Sequence, residues 1–217
     1  MRQVNFKLYL ITDRKLTGER GLAATIEIAL QAAAEFAPQG AVAVQLREKD
    51  LDARPLLELA RELREICRLY QVPMLINGRI DVALAAGADG VHLPSDAISP
   101  EDARKLLGPS KLIGVSTHDA SEISRASAQG ADFVVFGPVF APISKGAYAA
   151  PCGRDGLAAA CRAASIPVFA LGGITAARLP ELRNSGAAGV AAIGAVIGAN
   201  DPADAVRKLF EALRRWD

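Results

Sequence analysis

Short runs of β-branched and aliphatic residues recur along the whole chain, each followed by a polar loop and then by apolar positions at helical spacing. The runs predict strands at Leu8–Thr12, Val42–Leu46, Met74–Asn77, Gly90–Leu93, Leu112–Val115, Phe133–Phe136, Val168–Leu171 and Val190–Ile193. Most are continuously apolar rather than alternating, which marks strands covered on both faces, as in parallel sheets. Helices are predicted over Gly21–Ala37, Ala53–Tyr70, Arg79–Ala86, Ser99–Leu107, Ala120–Ala128, Gly156–Ala164, Ala176–Asn184 and Pro202–Arg215. In the second of these, Leu56, Leu57, Ala60, Leu63, Ile66 and Cys67 form one stripe, with Arg61, Glu62, Arg64, Glu65 and Arg68 outside it. Ser99-Pro100-Glu101-Asp102 reads as an N-cap followed by a first-turn proline and first-turn acids, and Gly87, Gly130 and Gly186 read as C-caps.

A weak internal repeat supports the division. Gln39-Gly40-Ala41, Gly87-Ala88-Asp89, Gly130-Ala131-Asp132 and Gly186-Ala187-Ala188 each introduce a strand. The eight strand–helix units account for the chain without a linker, a low-complexity segment or a second domain. An open doubly wound sheet of about five or six strands would leave two units at an edge. Eight units close naturally into a barrel. The expectation is a single-domain α/β protein, a (β/α)8 TIM barrel over residues 1–217.

Composition narrows the function classes. The chain has 217 residues, 51% hydrophobic and 23% charged, enough to bury a core without staples. Lys+Arg at 25 against Asp+Glu at 24 excludes a strongly basic nucleic-acid binder. Three cysteines, Cys67, Cys152 and Cys161, form neither a disulfide framework nor a zinc spacing, so a reducing cytoplasm is expected. No apolar run is long enough for a membrane span, and the N-terminal apolar stretch is too short for a signal peptide. No nucleic-acid or membrane partner is expected. The sequence is compatible with a homodimer without deciding the oligomeric state.

In such barrels the chemistry sits at the C-terminal strand ends. After the second strand, Gln45, Arg47 and Lys49 alternate and point to one side, suiting an anionic substrate group; the competing reading is a solvated rim in which Arg47–Glu48 and Lys49–Asp50 balance one another. Gly172-Gly173 after the seventh strand and Gly194 after the eighth stand where barrels bind phosphate through backbone N–H groups, although tight βα turns also use glycine. Lys145, between Ser144 and Gly146 in a long loop, reads either as a lid cation or as an ordinary exposed lysine. His118, beside Ser116 and Thr117, is placed to carry protons near neutral pH, its alternative being a bystander that caps the fifth helix. His92 reads as a wall histidine hydrogen-bonded in place. Cys67 and Cys161 read as packing residues, and nothing beside Cys152 argues for a nucleophile.

Y-L-I-T-D, V-Q-L-R-E-K-D, G-A-D-G-V-H-L, I-G-V-S-T-H, G-A-D-F-V-V-F-G-P-V-F and A-L-G-G-I follow one another in successive units. Together they resemble the thiamine phosphate synthase/TenI superfamily, from about Leu8 to Leu213. The resemblance implies a cytoplasmic enzyme of thiamine biosynthesis that binds a thiazole phosphate. Two activities are known in the family. A synthase joins hydroxymethylpyrimidine diphosphate to thiazole phosphate with Mg²⁺ and loss of pyrophosphate; a TenI-type tautomerase moves a proton in a thiazole carboxylate phosphate. The resemblance assigns substrate binding to Gln45, Arg47, Lys49, Asn77, Ser116, Ser144 and Lys145. It assigns phosphate binding to Gly172, Gly173, Ile193 and Gly194, and acid/base chemistry to His118.

Departures from the synthase pattern direct the choice. Ile76-Asn77-Gly78-Arg79 has glycine where a synthase typically has a Mg²⁺-binding aspartate. In His92-Leu93-Pro94-Ser95-Asp96-Ala97, Ala97 takes the second aspartate position and Asp96 stands one residue early. Pro142-Ile143-Ser144-Lys145 lacks one hydroxyl of the synthase loop. A diphosphate-held Mg²⁺ normally needs one or two carboxylates, whereas a tautomerisation needs none. The expectation is therefore a metal-independent thiazole tautomerase, an isomerase without cofactor. The alternatives are a synthase in which Asp96 or Asp13 rescues a Mg²⁺ site, and a regulatory barrel that binds ligand without turnover.

Overall fold

The computed structural model describes residues 4–141 and 150–216. Eight parallel strands, β1 (Leu8–Ile11), β2 (Val42–Leu46), β3 (Met74–Asn77), β4 (Gly90–Leu93), β5 (Leu112–Thr117), β6 (Phe133–Phe136), β7 (Val168–Ala170) and β8 (Gly189–Ala192), pair in chain order. Pairing of β1 with β8 closes the barrel, as the sequence leads one to expect. Around it lie α1 (Leu22–Phe36), α2 (Ala53–Leu69), α3 (Ile80–Ala85), α4 (Pro100–Leu107), α5 (Ala120–Ala128), α6 (Gly153–Ala163), α7 (Gly194–Ile197) and α8 (Pro202–Leu213). Among the described residues no helix is long and apolar enough to cross a membrane.

Alternate residues of each strand divide between two dry layers. Leu8, Leu10, Val42 and Val44 join the layer under the helices, while Tyr9, Ile11, Ala43, Leu75, Phe133, Val135, Phe169 and Ala191 fill the barrel. With both faces out of water, alternation has nothing to report, which is why the strands read as unbroken apolar runs. Aromatic rings supply much of the barrel filling. Phe133 meets Phe6 and Tyr9 edge-on at 5.3 Å, and Phe6 stacks on Phe169 at 4.7 Å. Such pairs add to burial through the ring quadrupoles. The rings fit because small residues oppose them: a Cβ at Gly114 would stand 2.4 Å from the Phe133 ring and 2.8 Å from His92 Nδ1.

The repeated Gly-Ala-Asp segments have a structural task at the N-terminal end of the barrel. Asp89 accepts from Met74 N at 2.9 Å and pairs with Arg64 of α2. Asp132 does the same one pair of units later, accepting from Ile113 N at 2.8 Å and pairing with Arg104 of α4 at 2.7 Å. Each aspartate ties its own strand entrance to the preceding strand and to a covering helix. Stability, rather than chemistry, is the usual content of that face.

The seventh unit departs from expectation. Instead of a helix over Ala176–Asn184 there is a single 3₁₀ turn, Leu179–Leu182. Pro180 removes an N–H and its ring would clash with the carbonyl of Ala176, so the α-helix cannot run through it. The turn nonetheless buries Leu179 and Leu182 completely, and Trp216 Nε1 donates to Leu179 O at 3.0 Å. A four-residue helix, α7, follows β8 where the sequence pattern predicts none.

Gly114→Ala should cost about 1–3 kcal/mol, the range for overpacking a filled core, measured by chemical denaturation. A neutral result would mean that the barrel interior yields more easily than its ring geometry implies.

Candidate active site

The inward positions of the last strand layer differ from those below. On β2 through β5 they are Gln45, Asn77, His92 and Ser116, paired in register as Asn77 with His92 and Ser116 with Val135. On β1 and β6, and just past the ends of β7 and β8, the corresponding positions are Ile11, Val135, Leu171 and Ile193, which belong to or pack on the barrel-interior cluster. The floor of the mouth is thus polar on one half and apolar on the other.

The polar half is built of buried amides and an imidazole. Gln45 is almost completely buried; its Nε2 donates to Asn77 Oδ1 at 3.2 Å, while its Oε1 has no partner among the described residues. A buried acceptor left unmade costs free energy unless a ligand completes it. His92 Nε2 lies 2.9 Å from Ser116 Oγ, and Nδ1 lies 3.4 Å from the Tyr9 hydroxyl. Burial holds the His92 ring down to about 3, with the nearby Arg47 charge adding to the effect, so the imidazole is neutral at physiological pH. The wall histidine expected from sequence is where it should be.

Above this floor, the β2 loop decides its charge by parity. Glu48, with 2% of its side chain exposed, accepts from Thr12 Oγ1 at 2.7 Å, from Arg14 N and from the Arg14 guanidinium at 3.1 Å. Thr12 Oγ1 in turn accepts from Arg47 N at 2.9 Å. Asp50 pairs with Arg14 at 2.6 Å and with Lys15 at 2.9 Å, and these partners hold its carboxyl well below the usual range. The expected alternative, Arg47–Glu48 and Lys49–Asp50 balancing one another, is therefore not how the acids are used. Arg47 and Lys49 have no carboxylate partner among the described residues. Sequence reasoning missed Thr12, Arg14 and Lys15 in this arrangement; its one local signal was the alternation of cations and acids over Arg47-Glu48-Lys49-Asp50.

The β7 and β8 turns carry the glycines. Gly172 and Gly173 have φ of +105° and +59°. A Cβ at Gly172 would stand 2.7 Å from Pro138 Cα, and one at Gly173 would stand 2.5 Å from Ala141 O. The β6 loop crosses tightly over the β7 turn here, with Phe140 N donating to Gly172 O at 3.1 Å. Glycine is thus required by packing as well as by backbone conformation. The N–H groups of Gly173, Ile174, Gly194 and Ala195 donate to no backbone partner among the described residues. Ile193 precedes α7 as its N-cap.

His118 stands apart from the floor. It lies on the rim with 52% of its side chain exposed, its backbone N donating to Glu122 at 2.7 Å and its Nδ1 3.1 Å from the same carboxylate. Beside it a cleft of about 310 Å³ is lined by Pro94, Ser95, Ile98, Ser116, Thr117 and Glu122. Ser144 and Lys145 lie outside the described residues. Burial pushes the thiols of Cys67 and Cys161 up to about 12 and about 11, which suits packing residues, and Cys152 is raised as well.

A family model described as thiamine monophosphate synthase matches residues 8–196. The chain belongs to the thiamine monophosphate synthase/TenI family. It is 43% identical over 206 residues to a thiamine-phosphate synthase of Chloroflexus aurantiacus, covering 95% of this chain and 92% of that protein. A Geobacter sulfurreducens protein, provisionally named as such a synthase, is 51% identical over 213 residues, 98% of this chain and 97% of its own. Among solved structures, a thiamine phosphate pyrophosphorylase from Pyrococcus furiosus superposes with a TM-score of 0.84 at 33% identity, covering 98% of each chain. These findings confirm a place in thiamine biosynthesis. They also correct the expected isomerase: the relatives carry a synthase or pyrophosphorylase name, that of a transferase, and none is named as a tautomerase.

The buried, neutral His92 makes stability pH-dependent. Its folded-state value lies below its unfolded value, so the unfolded chain binds the extra proton first and stability falls as pH drops from about 6.5 toward 3. Urea midpoints measured between pH 4 and 7 should fall more steeply for the wild type than for His92→Asn. Equal slopes would show that the ring titrates normally.

Proposed function

We propose that this barrel is a thiamine-phosphate synthase, joining hydroxymethylpyrimidine diphosphate to thiazole phosphate. The observation that carries this reading is the division of charge on the β2 loop. Glu48 and Asp50 are engaged by Arg14 and Lys15, which leaves Arg47 and Lys49 without acidic partners beside the polar floor. Two such cations suit a diphosphate, whose leaving group gains charge as the C–O bond to the pyrimidine methylene breaks. The thiazole nitrogen then takes that carbon, and pyrophosphate departs with the electron pair.

The two halves of the floor suit two different rings. The unmet Gln45 Oε1 accepts from an exocyclic amine, and the Asn77 amide and Ser116 hydroxyl serve ring nitrogens of a pyrimidine. The apolar half at Ile11, Val135, Leu171 and Ile193 suits the thiazole. Its phosphate falls to the N–H groups after β7 and β8, around Gly172, Gly173, Ile193 and Gly194. Ser144 and Lys145 are kept in this proposal as the family pattern gives them. His118 has no proton to move in this transfer, so the shuttle expected of it lapses with the isomerase.

A Mg²⁺ ion is implied by the family, and the carboxylates allow a test of fit. Glu48 and Asp50 are taken by hydrogen bonds, and Asp13 caps the turn that begins at Arg14 by accepting from Lys15 N at 3.2 Å. Asp96, in the loop after β4, is exposed and has no ion-pair or hydrogen-bond partner among the described residues. Mg²⁺ on a diphosphate needs one or two protein carboxylates, the phosphates supplying the rest. One carboxylate is available, and Asp96 would hold the ion. When bound, Mg²⁺ neutralises charge on the departing pyrophosphate. At the other expected acid position, a Cβ on Gly78 would meet only Pro94, at 3.7 Å, so an aspartate has space there, but the left-handed backbone at φ +68° strains it by about 1–2 kcal/mol.

Pyrophosphate release from the two substrates should require Mg²⁺. Lys49→Ala should lower kcat/KM by about 10²-fold or more, the usual cost of removing one preorganised charge stabiliser. No pyrophosphate release under any divalent ion would overturn the reading. Asp96→Asn should raise the Mg²⁺ concentration needed for half-maximal rate, and Gly78→Asp should lower it; unchanged Mg²⁺ dependence in both would remove Asp96 from the site.

A further inference from the structure

We infer that Tyr9 and His92 form a relay that holds the Ser116 hydroxyl as a hydrogen-bond donor to the mouth, which makes His92 a positioning residue. The three groups come from β1, β4 and β5 and form a chain of two contacts, of 3.4 Å and 2.9 Å, through the two nitrogens of His92. His92 Nδ1 faces the Tyr9 hydroxyl and Nε2 faces Ser116 Oγ. Nothing else among the described residues bonds to the Tyr9 hydroxyl, and the side chain is completely buried.

Two tautomers of the neutral ring are available, and they are not equivalent. With the proton on Nδ1, the ring donates to Tyr9, and the Tyr9 O–H is left in the core without an acceptor. With the proton on Nε2, the Tyr9 O–H donates to Nδ1, Nε2–H donates to Ser116 Oγ, and every buried donor is used. An orphaned buried donor is the costlier defect, so the second arrangement wins. Ser116 Oγ then accepts from the ring, and its own proton must point elsewhere, toward the mouth.

Burial and the facing charge protect this state. The charged group beside the ring is Arg47, whose guanidinium disfavours a second proton on the imidazole. The tight fit matters too: Gly114, opposite His92 in register, leaves no room for a Cβ against Nδ1, so the ring has a fixed seat. Tyr9 itself is ringed by Phe6, Phe133 and Phe169, and its hydroxyl direction is fixed by core packing. The aromatic core thus sets the polarity of a hydroxyl at the substrate face.

The consequence for substrate rests on the synthase reading above; the tautomer does not. The chain has two histidines, so ¹⁵N-histidine labelling of the His118→Gln protein isolates His92. Its ring should show the Nε2–H tautomer in the free protein at pH 7, and Tyr9→Phe should convert it to a mixture or to Nδ1–H. In the synthase assay Tyr9→Phe should raise KM for the pyrimidine diphosphate about tenfold, the loss of one ordinary hydrogen bond, with kcat little changed. In a Ser116→Ala background the same change should add nothing. An Nδ1–H ring in the wild type, an unaltered tautomer in Tyr9→Phe, or KM effects that simply add would each overturn the relay. The expected tautomers without any pyrophosphate release would uphold it and overturn the synthase reading instead.

Discussion

The carboxylate of Glu48 controls which charges the barrel can offer a substrate. It is nearly inaccessible to water and gathers a hydroxyl, a backbone N–H and a guanidinium from the loop after β1. A buried carboxylate so saturated cannot also neutralise its chain neighbours. Asp50 is drawn to the same arginine from the other side. The β1 loop therefore takes up both acids of the β2 loop, and the cations that alternate with them, Arg47 and Lys49, are left to face an anion. Without this clasp the β2 rim would be a self-balanced strip of charge, of little use for holding a diphosphate.

Beneath that clasp the barrel converts packing into polarity. Four aromatic rings and a few small residues fill its interior, and the last inward layer splits into an amide–imidazole half and an aliphatic half. The split follows from strand order alone, since β2 to β5 are contiguous around the ring. Under the proposed synthase reading, the two chemically different walls would each take one of two unlike heterocycles. His92 belongs to both regions, with one ring nitrogen toward the core and the other toward the floor.

The acids that are missing weigh less than they appear to in the sequence. Glycine at position 78 and alanine at position 97 argue for chemistry without metal only if no other carboxylate can reach a diphosphate-bound ion. Asp96, one residue from the usual place and free of partners among the described residues, weakens that premise. Relatives named as synthases over nearly the whole chain weaken it further. Counting motif acids by position treated the loop after β4 as rigid, whereas a loop lets a neighbouring residue assume the same task.

Local periodicity was enough to count the strands, to make them parallel and to place the mouth residues at strand ends, because burial on both faces leaves its mark on every strand separately. It placed Gln45, Asn77 and Ser116 at the mouth, and it put His92 in the wall, for the same reason. It failed at Ala176–Asn184, where the proline within the apolar pattern outweighed the pattern itself. Only the closed barrel decided the pairings: Arg14 with Glu48, Tyr9 with His92 and Gly172 with the β6 loop are contacts between distant stretches of chain. Sequence spacing carries no trace of such contacts, since they form when ring closure brings strand ends together. Partnership of buried charges and donors is a property of that shared space, and so the tertiary structure had the final word on which residues remain free to act.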